Sequence, residues 1–326
     1  MLAGKHIAVF CVQSFNLEKQ ITDSLQKLGA SVKYFDERPQ NSLVYKAILR
    51  YVPQLYTKKV TDYYSNIQII LEKESLDYLL IIRGEVVPVW FINAVKECQP
   101  NCKTIYYTSD SFKNNPKGLE IAKLTDTAYT FDSEDAEKHN LRRLPLYFPD
   151  SYTQSRSKYV SRTYDFCFIG TVHSDRMKLV SKIVKQLKPQ KPFVFFYIQS
   201  LIVLLIRMIR SGSLLSGLLN NVKFTPLSRD NMQEVLLNSK IVLDIHHPHQ
   251  TGLTMRTIEA LGAECKVITT NDKVRDYPFY NANNICVIDR RDPIVPPTFL
   301  ETAYVPIDKA VYAKYSTSSW LQQLFA

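Results

Sequence analysis

Short apolar runs rich in β-branched and aromatic residues alternate along this chain with stretches whose apolar residues recur every three or four positions. His6–Val12, Ser31–Phe35, Tyr78–Ile82, Lys103–Tyr107 and Thr127–Phe131 are runs of the first kind, and they predict strands buried on both faces. Leu17, Ile21, Leu25 and Leu28 fall on one helical stripe that stops at Gly29, and Val89–Cys98 reads as a further helix. Ser133-Glu-Asp-Ala-Glu137 has the N-cap and acidic first turn of a helix start. The rhythm breaks at the polar segment Pro149–Thr163, which is the predicted linker, and then restarts. Strands are expected at 164–169, 193–198, 222–224, 241–245, 265–269 and 285–288. Helices are expected at 176–187, 201–210, 230–238 and 253–261, with an amphipathic terminal helix at 316–325. Strand–helix alternation of this kind predicts an α/β protein of two doubly wound, Rossmann-like parallel-sheet domains. Their expected bounds are 1–150 and 151–326, the second including the terminal helix.

Charge sharpens this division. The 326 residues carry a formal net charge of +10, but residues 1–150 have 19 basic and 18 acidic side chains, whereas 151–326 have 22 and 13. An excess confined to the second half points to an anionic partner there. A nucleic acid is the weaker reading, because the chain has no basic–aromatic stripe, helix-turn-helix or RNA-binding signature. The apolar run Phe193–Ile206 is interrupted by Gln199 and Ser200 and closed by Arg207 and Arg210. As a helix its fourteen residues rise only about 21 Å against a bilayer core of about 30 Å, so it does not read as a membrane span. The segment Leu201–Arg210 keeps open a peripheral contact with an anionic membrane. Six scattered cysteines, most inside apolar runs, read as free buried thiols of a reducing compartment, and the amino terminus shows no secretory pattern. A cytoplasmic protein is expected, at the inner face of the plasma membrane if the peripheral contact exists.

The stretch from Ile241 to Asn271 carries the most chemistry. It reads as strand, loop, helix, strand, and the loop holds Thr251, Gly252, Leu253 and Thr254. A glycine allows close backbone approach, and the first turn of the helix offers unpaired N–H groups to an anion. Arg256 lies in that turn and can add a charge-assisted contact to a diphosphate. Glu259, three residues on, can accept hydrogen bonds from ribose hydroxyls. A surface-charge reading of both residues is the bland alternative. His246, His247 and His249 cluster as metal ligands do, but they follow a strand end without a carboxylate partner, and a donor-pocket role for His247 is favoured.

The run Thr251-Gly-Leu-Thr-Met-Arg-Thr-Ile-Glu-Ala-Leu-Gly-Ala263 followed by Lys266-Val-Ile-Thr-Thr-Asn271 resembles the donor half of GT-B fold glycosyltransferases. Within these it is most similar to enzymes of bacterial capsule, exopolysaccharide and lipopolysaccharide synthesis. Tyr164–Arg176 resembles the first strand and loop of that half, and Val222–Ser228 resembles its base-holding segment. The resemblance implies two domains facing a cleft, with the acceptor on the first and the donor nucleotide-sugar on the second. Gly170, Thr171, His173 and Arg176 would face the donor phosphates, Leu227 the base, and Glu259 the ribose. It also implies a saccharide acceptor, lipid-linked in such pathways, and a reaction without a cofactor or a metal. The family's first glutamate would fall at Thr251, so the sequence departs from the pattern there and leaves the stereochemistry open. Asp110, after the strand ending in Tyr106-Tyr-Thr-Ser, is the candidate catalytic base, with a helix-capping role as its alternative. Arg83-Gly84-Glu85 ends another strand and would line the acceptor side. A nucleotide-sugar epimerase on the same fold and a non-catalytic nucleotide-binding or scaffold protein are the rival readings.

Overall fold

The central strand runs form as the pattern dictates: His6–Cys11, Tyr78–Ile82 and Lys103–Thr108 are buried at nearly every position, whereas Ser31–Phe35, at the sheet edge, is only half-buried. A computed structural model describes residues 2–13, 16–42, 45, 53–155, 161–204, 218–248 and 250–326. It divides into two units, residues 1–145 with 317–326, and residues 146–316. The first unit is built from β1 (His6–Cys11), α1 (Leu17–Lys27), β2 (Ser31–Phe35), α2 (Thr57–Leu71), β3 (Tyr78–Ile82), α3 (Val89–Cys98), β4 (Lys103–Thr108), α4 (Pro116–Leu124), β5 (Thr127–Thr130), α5 (Ser133–His139) and β6 (Arg142–Arg143). The second contains α6 (Asp150–Ser155), β7 (Phe166–Thr171), α7 (Arg176–Leu187), β8 (Pro192–Tyr197), β9 (Val222–Lys223), α8 (Arg229–Leu237), β10 (Ile241–Asp244), α9 (Met255–Gly262), β11 (Lys266–Thr269), β12 (Ile285–Val287), α10 (Pro297–Glu301) and α11 (Lys309–Ala313). The last helix, α12 (Thr317–Leu324), returns to the first unit.

Each unit holds one six-stranded sheet whose paired strands are all parallel, in the orders β2-β1-β3-β4-β5-β6 and β12-β11-β10-β7-β8-β9. The direction of winding therefore reverses between β1 and β3 in the first unit and between β7 and β10 in the second. At such a reversal the loops leave the carboxyl ends of neighbouring strands in opposite directions and open a crevice. Separate cores stabilise the two units. Phe10, Tyr64, Phe91 and Tyr106 fill one, while Phe168, Val180, Phe196 and Ile268 fill the other. Among the described residues, no helix is long and apolar enough to cross a membrane.

The structure departs from the sequence expectations at several points. The terminal helix belongs to the first unit, not the second: Trp320, Leu321 and Leu324 are buried, and Trp320 meets Tyr107 at a ring separation of 4.8 Å. An amphipathic stripe specifies that a helix must bury a face but not which sheet it covers. The expected linker begins with α6, whose Tyr152 is buried, and its residues 156–160 lie outside those described. β7 runs on through Gly170 and Thr171, which were expected in the loop, because its pairing with β8 extends to Thr171–Tyr197. Asp132 rather than Ser133 caps α5, accepting the N–H groups of Glu134 and Asp135. The helix expected at 201–210 is described only as far as Leu204. All six cysteines are free thiols, and all but Cys98 are buried.

Candidate nucleotide and acceptor sites

The carboxyl edge of the second sheet gathers most of the residues singled out in the sequence. Gly170 and Thr171 end β7, His173 lies in the following loop, and Arg176 opens α7. His246 and His247 follow β10, and Thr251–Thr254 lead into α9. His249 lies outside the described residues. The loop is fixed from below by Asn271, whose buried amide donates to the carbonyls of Thr251 (3.0 Å) and Gly252 (3.2 Å). Asp244, also buried, accepts from the Thr257 hydroxyl at 2.6 Å and so ties the end of β10 to the first turn of α9. Leu227 precedes α8, which packs against α9.

Two features of the helix start differ from the expected anion site. Thr254 caps α9 with its own hydroxyl, which accepts the N–H groups of Arg256 (3.1 Å) and Thr257 (3.3 Å). Among the described residues, the N–H groups of Leu253, Thr254 and Met255 have no hydrogen-bond acceptor, so the donors open to a ligand lie one step earlier. Arg256 and Glu259, assigned separate contacts from the sequence, instead pair with each other at 2.7 Å, and Arg256 also donates to Met232 Sδ at 2.8 Å. Their side chains are only 14% and 7% exposed. A ligand that used either would have to share or open this pair, because i and i+3 side chains on one helix face meet.

Arg176 reaches across the β7–β10 reversal and donates to the Ile245 carbonyl at 2.8 Å, with a longer contact of 3.4 Å to the Thr171 hydroxyl. Burial lowers its pKa, Arg290 and Arg256 act in the same direction, and Asp244 opposes them. Arg290 went unnoticed in the sequence. It grips Asp175 with both arms (2.5 and 3.0 Å) and donates to the His246 carbonyl at 2.8 Å, bridging three loops of this edge. The only sequence signal is its place in a charged run directly after the last strand. His246 sits 2.7 Å from the Thr270 hydroxyl, and burial lowers its pKa. The His173 and His247 rings are 5.3 Å apart. Among the described residues, no group of three or more His, Cys, Asp or Glu side chains could hold a metal ion.

The corresponding edge of the first sheet holds a charged cluster. Asp110 lies in the loop after β4, and its carboxylate accepts from Ser111 N (3.0 Å) and Asn114 Nδ2 (2.9 Å), with Arg83 at 3.7 Å. Arg83 and Gly84, after β3, both adopt left-handed backbone conformations, with φ of 79° and 64°. That conformation costs an arginine energy and is natural for glycine. The turn is held by Glu37, a carboxyl with no exposed surface that accepts the N–H groups of Gly84 (3.0 Å) and Glu85 (3.2 Å). Burial pushes the Glu37 pKa up to about 7, and Glu85 adds to the rise while Arg83 and Arg38 oppose it. Glu85 in turn pairs with Arg38 at 2.5 Å and lies 3.6 Å from Arg83. Sequence reasoning found Arg83, Glu85 and Asp110 but not Glu37, which reads as one more polar residue in a surface loop.

No protein-family model and no curated protein sequence matches the chain. Solved structures do match it over almost its whole length. AviGT4, a glycosyltransferase involved in avilamycin A biosynthesis, shares 11% identity over 98% of this chain and 96% of its own, with a TM-score of 0.62. Anabaena Alr3699/HepE, solved with UDP-glucose, shares 10% over 98% of each chain, with a TM-score of 0.61. A UDP-GlcNAc 2-epimerase of Methanocaldococcus jannaschii, solved with UDP-GlcNAc and UDP, shares 9% over 98% of each, with a TM-score of 0.52. With two all-parallel six-stranded sheets, each flanked by helices, this chain has the two-domain α/β fold of the GT-B glycosyltransferases and their UDP-sugar-using neighbours.

Proposed function

We propose that the protein is a glycosyltransferase whose second unit binds a nucleoside-diphosphate sugar, UDP-linked as in the neighbours solved with UDP-sugars. The observation that carries the reading is the place of the α9 start. It stands at the carboxyl edge of the sheet beside the reversal between β7 and β10, with three consecutive N–H groups lacking an acceptor among the described residues. Diphosphate leaves in such a transfer with growing negative charge, and preorganised N–H dipoles and guanidinium groups stabilise that charge without reorganising. In this reading the N–H groups of Leu253–Met255 meet the diphosphate, Arg176 and Arg256 add charge, and Glu259 takes the ribose once the Arg256 pair opens. Asp110 is the base that deprotonates an acceptor hydroxyl if the reaction inverts the anomeric centre. If the reaction retains it, the leaving phosphate takes the proton.

The acceptor in this proposal is a saccharide, lipid-linked as in capsule or lipopolysaccharide assembly. The positive surplus of residues 151–326 supports peripheral contact with an anionic membrane. So do Leu201 and Ile202, which stand 57% and 69% exposed. Two epimerases among the structural neighbours favour a second reading, nucleotide-sugar epimerisation. An epimerase converts the donor with no acceptor present, whereas a transferase turns over only when one is supplied.

A thermal-shift screen against UDP-, GDP-, ADP- and CMP-sugars, run with and without EDTA, tests the site. A ligand at one hundred times its Kd adds about 2.7 kcal/mol, which for a unit of this size raises Tm by roughly 5–10 °C. Arg256→Ala should remove the shift. Arg256→Lys keeps a cation beside Glu259 and controls for the buried carboxylate that Ala would orphan. No shift with any nucleotide, or an undiminished shift in both variants, overturns the assignment.

A further inference from the structure

The two strands that flank the crevice of the second sheet are weakly joined to each other. Among the described residues their ladder holds a single pair, Cys167 with Val242, although β7 runs on to Thr171 and β10 to Asp244. On its other side β7 pairs with β8 along its whole length, from Phe166–Pro192 to Thr171–Tyr197. Among the described residues, no main-chain hydrogen bond joins the loop between β7 and α7 to the loop after β10. Both loops carry candidate diphosphate contacts, so something else must set their spacing.

Two guanidinium groups do so. Arg176, at the start of α7, donates to the Ile245 carbonyl at 2.8 Å, and Arg290, in the loop after β12, donates to the adjoining His246 carbonyl at 2.8 Å. Arg290 also holds Asp175, the residue before Arg176, through bonds of 2.5 and 3.0 Å. A planar fork on a carboxylate fixes orientation as well as distance. The Asp175 side chain makes no capping bond to α7 and faces Arg290 instead. Burial pushes the Asp175 carboxyl up, but the Arg290 contacts outweigh it and hold the group below its ordinary range. The preceding residue, Ser174, stands in the left-handed region with a φ of 47°. That conformation is unfavourable for serine and persists where surrounding contacts impose it.

The charges at this edge are divided unequally. Asp175 neutralises Arg290, and Glu259 neutralises Arg256. Arg176, among the described residues, bonds only neutral acceptors: the Ile245 carbonyl and, at 3.4 Å, the Thr171 hydroxyl. Its charge is the one left open to an anion, and its position is fixed by the strap that Arg290 closes behind it.

We propose that Arg290 is a positioning residue, whose fork on Asp175 and bond to the His246 carbonyl set the two loops at the spacing in which Arg176 meets the diphosphate of the donor. That role rests on the nucleotide-site reading of this sheet edge. Direct contact between Arg290 and the phosphates would make Asp175 a competitor of the ligand, and removing its charge would then tighten binding. A positioning role requires the reverse.

Calorimetric titration of the full chain with UDP, UMP and uridine separates these cases. Arg290→Gln and Asp175→Asn should each weaken UDP binding by about tenfold or more, because a displaced guanidinium loses its contact with the phosphates, while uridine binding stays unchanged. The double variant should bind UDP no more weakly than either single one, since both substitutions open the same strap. Arg290→Lys keeps the charge without the fork and should recover part of the affinity. Should Arg290→Gln fail to fold in thermal unfolding, Arg290→Lys and Asp175→Asn carry the same comparison. Tighter UDP binding in Asp175→Asn overturns the positioning role. So do equal losses for UDP and uridine, additive losses in the double variant, or undiminished UDP binding in both single variants. In each of these cases wild type still binds UDP, and the nucleotide-site reading stands. A wild type that binds none of the three ligands brings down that reading and the role of Arg290 with it.

Discussion

Glu37 is where two opposing effects meet, and a pH titration decides between them. Complete burial disfavours its carboxylate, while the N–H groups of Gly84 and Glu85 and the cations Arg83 and Arg38 favour it. Burial prevails, and the pKa stands at about 7 against an ordinary 4.5. A gap of that size corresponds to about 3 kcal/mol of differential stability. The sign follows from proton counting. Below the unfolded pKa both states hold the proton, and the contribution to stability is fully present. As the pH rises from there, the unfolded chain releases the proton before the folded one does, so stability falls, and the loss is complete once the pH has passed the folded pKa of about 7. Both tryptophans, Trp90 and Trp320, lie in the first unit, so urea unfolding followed by their fluorescence reads that unit selectively. Between pH 5 and pH 8 the wild type should lose about 2.5 kcal/mol more than Glu37→Gln, the rest being lost below pH 5 and above pH 8. The glutamine brings its own cost, since its NH₂ must face a backbone donor, but that cost of about 1–3 kcal/mol does not vary with pH. Parallel curves for the two proteins would refute the burial argument. A wild type that gains stability over the variant as pH rises would show that the two N–H bonds and the arginines prevail.

Two further outcomes follow from close packing and from the charged cluster at the carboxyl edge of the first sheet. Gly262 ends α9 against Phe148, where an added Cβ would come within 2.7 Å of the ring, so Gly262→Ala should cost roughly 1–3 kcal/mol in chemical unfolding of the second unit; an unchanged midpoint would show that Phe148 moves freely. If Asp110 is the catalytic base, Asp110→Asn should lower kcat by roughly 10²–10⁴-fold while the UDP-sugar thermal shift persists, and full activity in the variant would leave Asp110 only its turn contacts to Ser111 and Asn114.

The sequence by itself determined the main strands of both sheets and the location of the nucleotide-site candidates, whereas the helices α2 and α4 of the first unit were not read from it. Strands buried on two faces need continuous apolar runs, and Val9, Leu80, Tyr106, Val242 and Ile268 stand in such runs and are buried as that pattern requires. The Thr251–Glu259 stretch was equally legible, because loop, glycine and helix start are local features. What the tertiary structure decided depends on residues far apart in the chain. Glu37 meets Gly84 across 47 positions and Arg290 meets Asp175 across 115, distances over which no periodicity carries information. The Arg256–Glu259 pair is local, yet its closure depends on Met232 and on burial supplied by neighbouring helices. The α12 stripe announced a buried face, but only the aromatic rings of Tyr78 and Tyr107 on the first sheet, which meet Phe325 and Trp320, selected the surface it covers. Local patterning specifies which faces must leave water, and the packing of distant segments decides what each of them then meets.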